Sequence, residues 1–150
     1  MGVFSGKVFD IKDKKSVGKI LGLIKSARFV FVCGNGGSAS NAEHFVSDLF
    51  AKGIKAMCLN SNVSIMTMIA NDFGYEFIFS KQLEVYGSSN DLLITISCSG
   101  TSKNIVNALK TASQMGMKTY QFETFAEGIK DYEALEDRHL IKAHRIKRNL

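Results

Sequence analysis

Two short loops carry most of the residues able to do chemistry. The first, Cys33-Gly34-Asn35-Gly36-Gly37-Ser38, combines glycines with an amide and a hydroxyl. The second, Ser97-Cys98-Ser99-Gly100-Thr101-Ser102, is dense in hydroxyls. Glycine lets a backbone approach an anion closely, and amide N–H groups and hydroxyls then donate to it. Neither loop reads GxGxxG, and neither ends in the GK[ST] of a P-loop, so a nucleotide cofactor is disfavoured. The same composition also suits two tight turns that cap helices. Two such loops in one chain point to a phosphate site. Beyond the first loop, His44 and Asp48 stand four residues apart. On a helix that spacing puts both side chains on one face. Alone, the pair also suits a solvated outer face; behind a phosphate-type loop it points to acid–base or metal chemistry.

Four β-rich runs must position these loops: Arg28 to Cys33, Ile54 to Leu59, Asp91 to Ser97 and Lys118 to Phe122. Helical spacing lies between them. Phe45, Val46 and Leu49 share one face, as do Ile105, Ala108, Leu109, Ala112 and Met115, with Gly116 placed for a C-cap. Val17, Ile20, Leu21 and Ile24 predict a leading helix, and Leu135 to Ile146 a closing one. Strands alternating with helices predict one α/β domain over 1–150, a doubly wound parallel sheet flanked by helices. Ligands bind such sheets outside the carboxyl ends of the strands, where both loops fall.

Composition narrows the class. A chain of 150 residues buries roughly 70% of its unfolded surface, enough for one core. At 45% hydrophobic it is not a disordered chain. No apolar run approaches the roughly 18 residues of a membrane span, so no membrane partner is expected. MGVFSGKVFDIKDKK shows no charged-then-apolar pattern, so no signal peptide is expected either. Cys33, Cys58 and Cys98 lack metal or disulfide spacing and fall in apolar runs. They predict buried thiols in a reducing, cytoplasmic compartment. The net charge of +5 comes from Arg138, Lys142, Arg145, Lys147 and Arg148, which leave a neutral body and no nucleic-acid footprint. Met57, Met66, Met68, Met115 and Met117 read as core filler, and Phe73, Tyr75, Phe77 and Phe79 as interface or core.

GNGGSASNAEHFVSDL (34–49) resembles the first signature of the SIS (sugar isomerase) family, more narrowly its phosphoheptose isomerase branch. IANDFGYEFIFSKQL (69–83), NDLLITISCSGTSKNIVNAL (90–109) and EDRHLIKAH (136–144) are similar to three further segments of that branch, in order. The resemblance implies that Asn35, Gly36, Gly37 and Ser38 touch the sugar and that Asn71 with Asp72 make a second contact. It implies that Ser97, Cys98, Ser99 and Ser102 hold a phosphate, with Cys98 in place of a threonine. His44, Asp48, Glu136 and His144 match the active-site positions, Asp48 replacing a Glu and Glu136 a Gln. Some members bind zinc through these four positions. Compared with the branch, the chain is shortened at the N-terminus and near the C-terminal sheet edge, between Ser102 and Glu136.

The implied reaction is the isomerisation of sedoheptulose 7-phosphate to D-glycero-D-manno-heptose 7-phosphate, serving bacterial surface polysaccharide. It needs a base at the carbon acid, an acid or metal at the carbonyl oxygen, and a phosphate anchor. Asp48 is expected as base, His144 as acid and Glu136 as a substrate contact. The Asp48 carboxylate is shorter than that of Glu by one bond, roughly 1.5 Å. Glu136 and His144 lie eight residues apart, about 12 Å along a straight helix, too far for one ion to take both from one helix. Either one of the two does not ligate, or they come from different chains. The second is preferred, because the resemblance implies sites at subunit interfaces, and with it a homo-oligomer, tetramer favoured over dimer. His139 reads as a packing residue. The competing reading is a non-catalytic SIS module: an adaptor that binds the replication initiator, or a sugar-phosphate sensor.

Overall fold

The apolar run beginning near residue 28 becomes the inner strand β1 (Val30–Gly34), buried along its whole length. A computed structural model of the chain describes residues 14–123. Within them α1 (Lys14–Ser26) precedes β1, and α2 (Gly37–Ala51), β2 (Ala56–Cys58) and α3 (Val63–Asp72) follow it. A 3₁₀ turn at Tyr75–Phe77 and α4 (Ser80–Tyr86) lead to β3 (Leu92–Ser97), α5 (Lys103–Gln114) and β4 (Lys118–Glu123).

The sheet order is β2-β1-β3-β4, with every neighbouring pair parallel. Both faces are covered, which is why β1 and β3 are apolar without alternation. On one face Val30, Val32, Leu92, Ile94 and Ile96 pack against Ile20 and Ile24 of α1 and Phe45 and Leu49 of α2. On the other, Phe31 and Leu93 meet Ile69 of α3, Leu83 of α4 and Ile105 and Ala108 of α5. The doubly wound sheet is the predicted one. Gly116 takes φ +74° past the end of α5, the left-handed conformation expected of its cap position.

The strand order also locates the site. From β1 the chain steps outward to β2, and from β3 it steps the opposite way to β4. The gap above β1 and β3 is therefore the topological switch point, where an open parallel sheet leaves a crevice. Gly34 pairs with Ile96, so the two chemistry-bearing loops leave the sheet level with each other. At the opposite end, Arg28 clamps the buried Asp91 carboxylate with Nε–Oδ1 and Nη2–Oδ2 bonds of 2.9 and 2.8 Å. The Ser88 N–H donates to the same carboxylate at 2.7 Å.

Some expectations need correction. Cys33 and Cys58 are buried, but Cys98 is exposed, because it lies just past the end of β3. Met117 is buried and Met57, Met66 and Met115 half-buried, whereas Met68 is exposed: α3 buries only Ile69. Phe79 is fully buried and Phe77 half-buried, while Phe73 and Tyr75 are exposed at the bend between α3 and α4. The predicted closing helix, with Glu136, His139 and His144, lies outside the described residues. Among those described, no helix is long and apolar enough to cross a membrane.

Candidate functional site

The first loop is held from three sides. Gly34 has no room for a side chain: a Cβ there would stand 2.6 Å from the Ser38 carbonyl oxygen and 2.9 Å from that of Ile96. Asn60 receives the Gly34 N–H on Oδ1 (3.1 Å) and donates from Nδ2 to the Gly34 carbonyl (2.8 Å). Strand β2 has already ended at Cys58, so the Asn60 amide continues the ladder in its place. Gly36, at φ +56°, turns the chain into α2, where Ser38 and Ala39 N–H bond the carbonyls of Asn35 and Gly36. Those first amides of α2 are thus already spent.

The second loop is left more open. The Gly100 N–H donates to Ser97 Oγ at 3.0 Å, and the Thr101 N–H to Ser99 Oγ at 3.3 Å. Each serine oxygen accepts one backbone N–H, and its O–H stays available as a donor. Ser102 is the N-cap of α5 yet makes no side-chain capping bond. A hydroxyl-rich loop running into the N-terminus of α5, where Asn104 Oδ1 already takes the Ile105 N–H, suits a phosphate as well as a capped turn.

The two loops touch through side chains. Asn35 and Asn104, the second residue of α5, exchange reciprocal amide hydrogen bonds of 2.9 and 2.8 Å. The Tyr75 hydroxyl donates to Asn35 Oδ1 at 3.2 Å, and Asn107 Nδ2 holds the Glu76 carbonyl at 3.0 Å. The turn after α3 is thereby drawn to the switch point. Asn71 and Asp72 end α3 exposed, with Asn71 Nδ2 donating to Asp72 Oδ1 at 2.9 Å. Asn60, Asn104 and Tyr75 were not expected in the site. Only tertiary contact reveals them, although Asn104, two residues behind the hydroxyl loop at a helix start, was a readable signal of side-chain-to-backbone bonding.

The fold and loops of this region match a known pattern: that of the SIS domain covers residues 14–122. The chain belongs to the SIS domain family. Among its relatives, a phosphoheptose isomerase from Helicobacter pylori strain ATCC 700392 / 26695 is 44% identical over 112 residues. That match covers 71% of this chain and 58% of the relative. One from Aliarcobacter butzleri is 42% identical, covering 64% of this chain and 54% of the relative. The solved structure of the phosphoheptose isomerase GmhA from Neisseria gonorrhoeae superposes with a TM-score of 0.71 at 28% identity. It covers 87% of this chain and 80% of that one. The chain spans less than two thirds of the length of the sequence relatives just named.

In this SIS domain, His44 and Asp48 lie about two and three turns into α2. Their side chains do meet, with His44 Nε2 3.6 Å from Asp48 Oδ2. His44 is half-exposed and Asp48 more enclosed. A tetrahedral ion about 2 Å from each donor would set two donors roughly 3.3 Å apart, so the pair fits two corners of a zinc site. Glu136 and His144 lie outside the described residues, and among those described no third candidate ligand joins the pair. Behind the loops, burial pushes the thiols of Cys33 and Cys58 up, so they remain neutral core groups.

Proposed function

We propose that this SIS domain isomerises sedoheptulose 7-phosphate to D-glycero-D-manno-heptose 7-phosphate. The reading is carried by the pairing of a glycine–amide loop with a hydroxyl loop at the β1/β3 switch point, in a chain 44% identical to a phosphoheptose isomerase.

The phosphate would take the hydroxyls of Ser97, Ser99 and Ser102 and the start of α5, beside Cys98. Asn35, Gly36, Gly37 and Ser38, with Asn71 and Asp72, would hold the sugar. The Asp48 carboxylate would take the proton from C1 of the ketose while His144 protonates the C2 carbonyl oxygen, giving an enediol. Return of a proton to C2, with loss of the O1 proton, completes the aldose. Glu136 would contact the substrate. In a metal-bound alternative, His44, Asp48, Glu136 and His144, the last two from different chains, would hold a zinc ion that supplies Lewis-acid polarisation of the carbonyl in place of the free acid.

This reading includes a cytoplasmic location, with the product feeding bacterial surface polysaccharide, and a homo-oligomer. Val63, Met68, Phe73 and Val85 expose apolar surface around α3 and α4, which suits burial against a second copy. Tetramer is favoured over dimer. Neither nucleic acid nor membrane is a partner in this scheme.

Incubation of purified protein with sedoheptulose 7-phosphate, with and without zinc, tests it by aldose formation. Folded protein that gives no turnover in either condition overturns it. Thermal stabilisation by phosphosugars without turnover would instead favour the sugar-phosphate sensor.

A further inference from the structure

The Asn35–Asn104 pair has a fixed polarity, and a backbone group sets it. Asparagine amides can be turned end for end, and a reciprocal pair survives if both turn together. Asn104 cannot turn. Its Oδ1 also receives the Ile105 backbone N–H at 2.9 Å, and reversal would set that donor against an NH₂ group. Asn104 therefore presents Nδ2 to Asn35 Oδ1 and Oδ1 to Asn35 Nδ2. The Asn35 oxygen faces two donors, Asn104 Nδ2 at 2.8 Å and the Tyr75 hydroxyl at 3.2 Å, which use both its lone pairs.

What remains of Asn35 is a single N–H with no partner among the described residues, on a half-exposed side chain at the switch point. We infer that Asn104 is a positioning residue, which with Tyr75 locks Asn35 so that its side chain offers the ligand a hydrogen-bond donor and no acceptor. The ligand group it meets is a carbonyl or hydroxyl oxygen of the sugar accepting that bond. Asn104 itself is buried, only 2% exposed, and stays out of contact with the ligand. It also joins the sugar loop to the helix that starts at the phosphate loop, adding a side-chain tie to the spacing that the β1–β3 pairing sets. The role in catalysis rests on the proposed isomerase reading; the polarity of the network does not.

The experiment therefore has two arms. In the first, side-chain amide signals of Asn35 and Asn104 are followed by ¹⁵N NMR in the protein without ligand. The N–H by which each binds the other is expected to exchange slowly with water, and Tyr75→Phe is expected to shift the Asn35 signal. An Asn35 amide that exchanges like a solvated one, unmoved by Tyr75→Phe, overturns the inference whatever the substrate is. In the second, Asn104→Asp keeps the acceptor for Ile105 N–H and removes the donor to Asn35. Its kcat/KM for sedoheptulose 7-phosphate is expected to fall about tenfold, the worth of one hydrogen bond. Tyr75→Phe is expected to fall about threefold. The inhibition constant of inorganic phosphate, which reports the other loop, is expected to stay within twofold in Tyr75→Phe, which adds no charge beside that loop. Equal losses for sugar phosphate and phosphate would mark a merely structural role and overturn the positioning one. Wild-type protein with no turnover of sedoheptulose 7-phosphate would overturn the isomerase reading instead, and the amide signals alone then decide the network.

Discussion

Gly34 and Ile96 meet so closely at the carboxyl ends of β1 and β3 that a Cβ on Gly34 would lie 2.9 Å from the Ile96 carbonyl oxygen. On its other side the same Cβ would come within 2.6 Å of the Ser38 carbonyl. Both obstacles are backbone, which cannot swing away as a side chain would. Gly34→Ala must therefore push α2 from the sheet or part the two strands at the switch point. The expected cost is about 1–3 kcal/mol, the range for overpacking, with loss of ligand binding as the loops separate. Gly22→Ala makes the contrast: on α1 its Cβ would meet nothing within 4 Å, and the change should stabilise by about 0.5–1 kcal/mol. Urea denaturation of the two variants checks both signs.

The Arg28–Asp91 clamp sits at the amino ends of β1 and β3, far from the site. The Asp91 carboxylate is fully enclosed, while the Arg28 side chain is 55% exposed. Arg28→Ala leaves the Ser88 N–H as a partner but removes both guanidinium bonds. A loss of about 1.5–3 kcal/mol is expected, the range for hydrogen bonds to a charged group. Turnover per folded molecule should hold, because the clamp lies at the opposite end of the strands from the loops. A variant as stable as wild type would mean that solvent fully replaces the guanidinium.

Strand and helix periods were legible because burial on both sheet faces leaves unbroken apolar runs, as in Leu92–Ser97, and because α5 repeats its apolar positions on one face. The segment from Val63 to Tyr86 was not legible in that way. Its exposed residues Val63, Met68 and Phe73 are as apolar as its buried ones, so composition does not tell inside from outside. Cys98 failed for a related reason, since strand β3 ends one residue before it and an apolar run does not mark its own last residue. The loops themselves could be read from glycine and hydroxyl content. Their joining could not: the bond from Asn35 to Asn104 spans 69 residues, and only the parallel pairing of β1 with β3 brings it about.

In the proposed isomerase reading, Asp48 is the residue on which the chemistry turns. Asp48→Asn keeps the shape and removes the base, so kcat should fall by about 10²–10⁴-fold, the usual worth of a general base. Asp48→Glu extends the carboxylate by roughly 1.5 Å. Glu is the residue that the resemblance implies at this position, so the longer side chain should retain turnover. Steady-state kinetics on sedoheptulose 7-phosphate decide this, and a Glu variant as dead as the Asn variant would remove Asp48 from the role of base.

The three cysteines should separate by reactivity. A thiol attacks as its thiolate, and burial holds Cys33 and Cys58 protonated well above the ordinary thiol range, whereas Cys98 is exposed beside the phosphate loop. An aromatic disulfide reagent at pH 8 should label Cys98 rapidly in native protein and reach the other two only in denaturant. Inorganic phosphate should slow the labelling of Cys98 if it occupies that loop. The same burial gives stability a pH dependence of definite sign. Below about pH 8.5 the thiols are protonated in both folded and unfolded chains and contribute no slope. Above it the unfolded chain releases protons that the folded chain retains, so stability must fall as pH rises. Urea midpoints at pH 7.5 and 9.5 should show that fall, and Cys33→Ala should reduce it. Native labelling of Cys33 as fast as that of Cys98 would contradict the burial from which both expectations come.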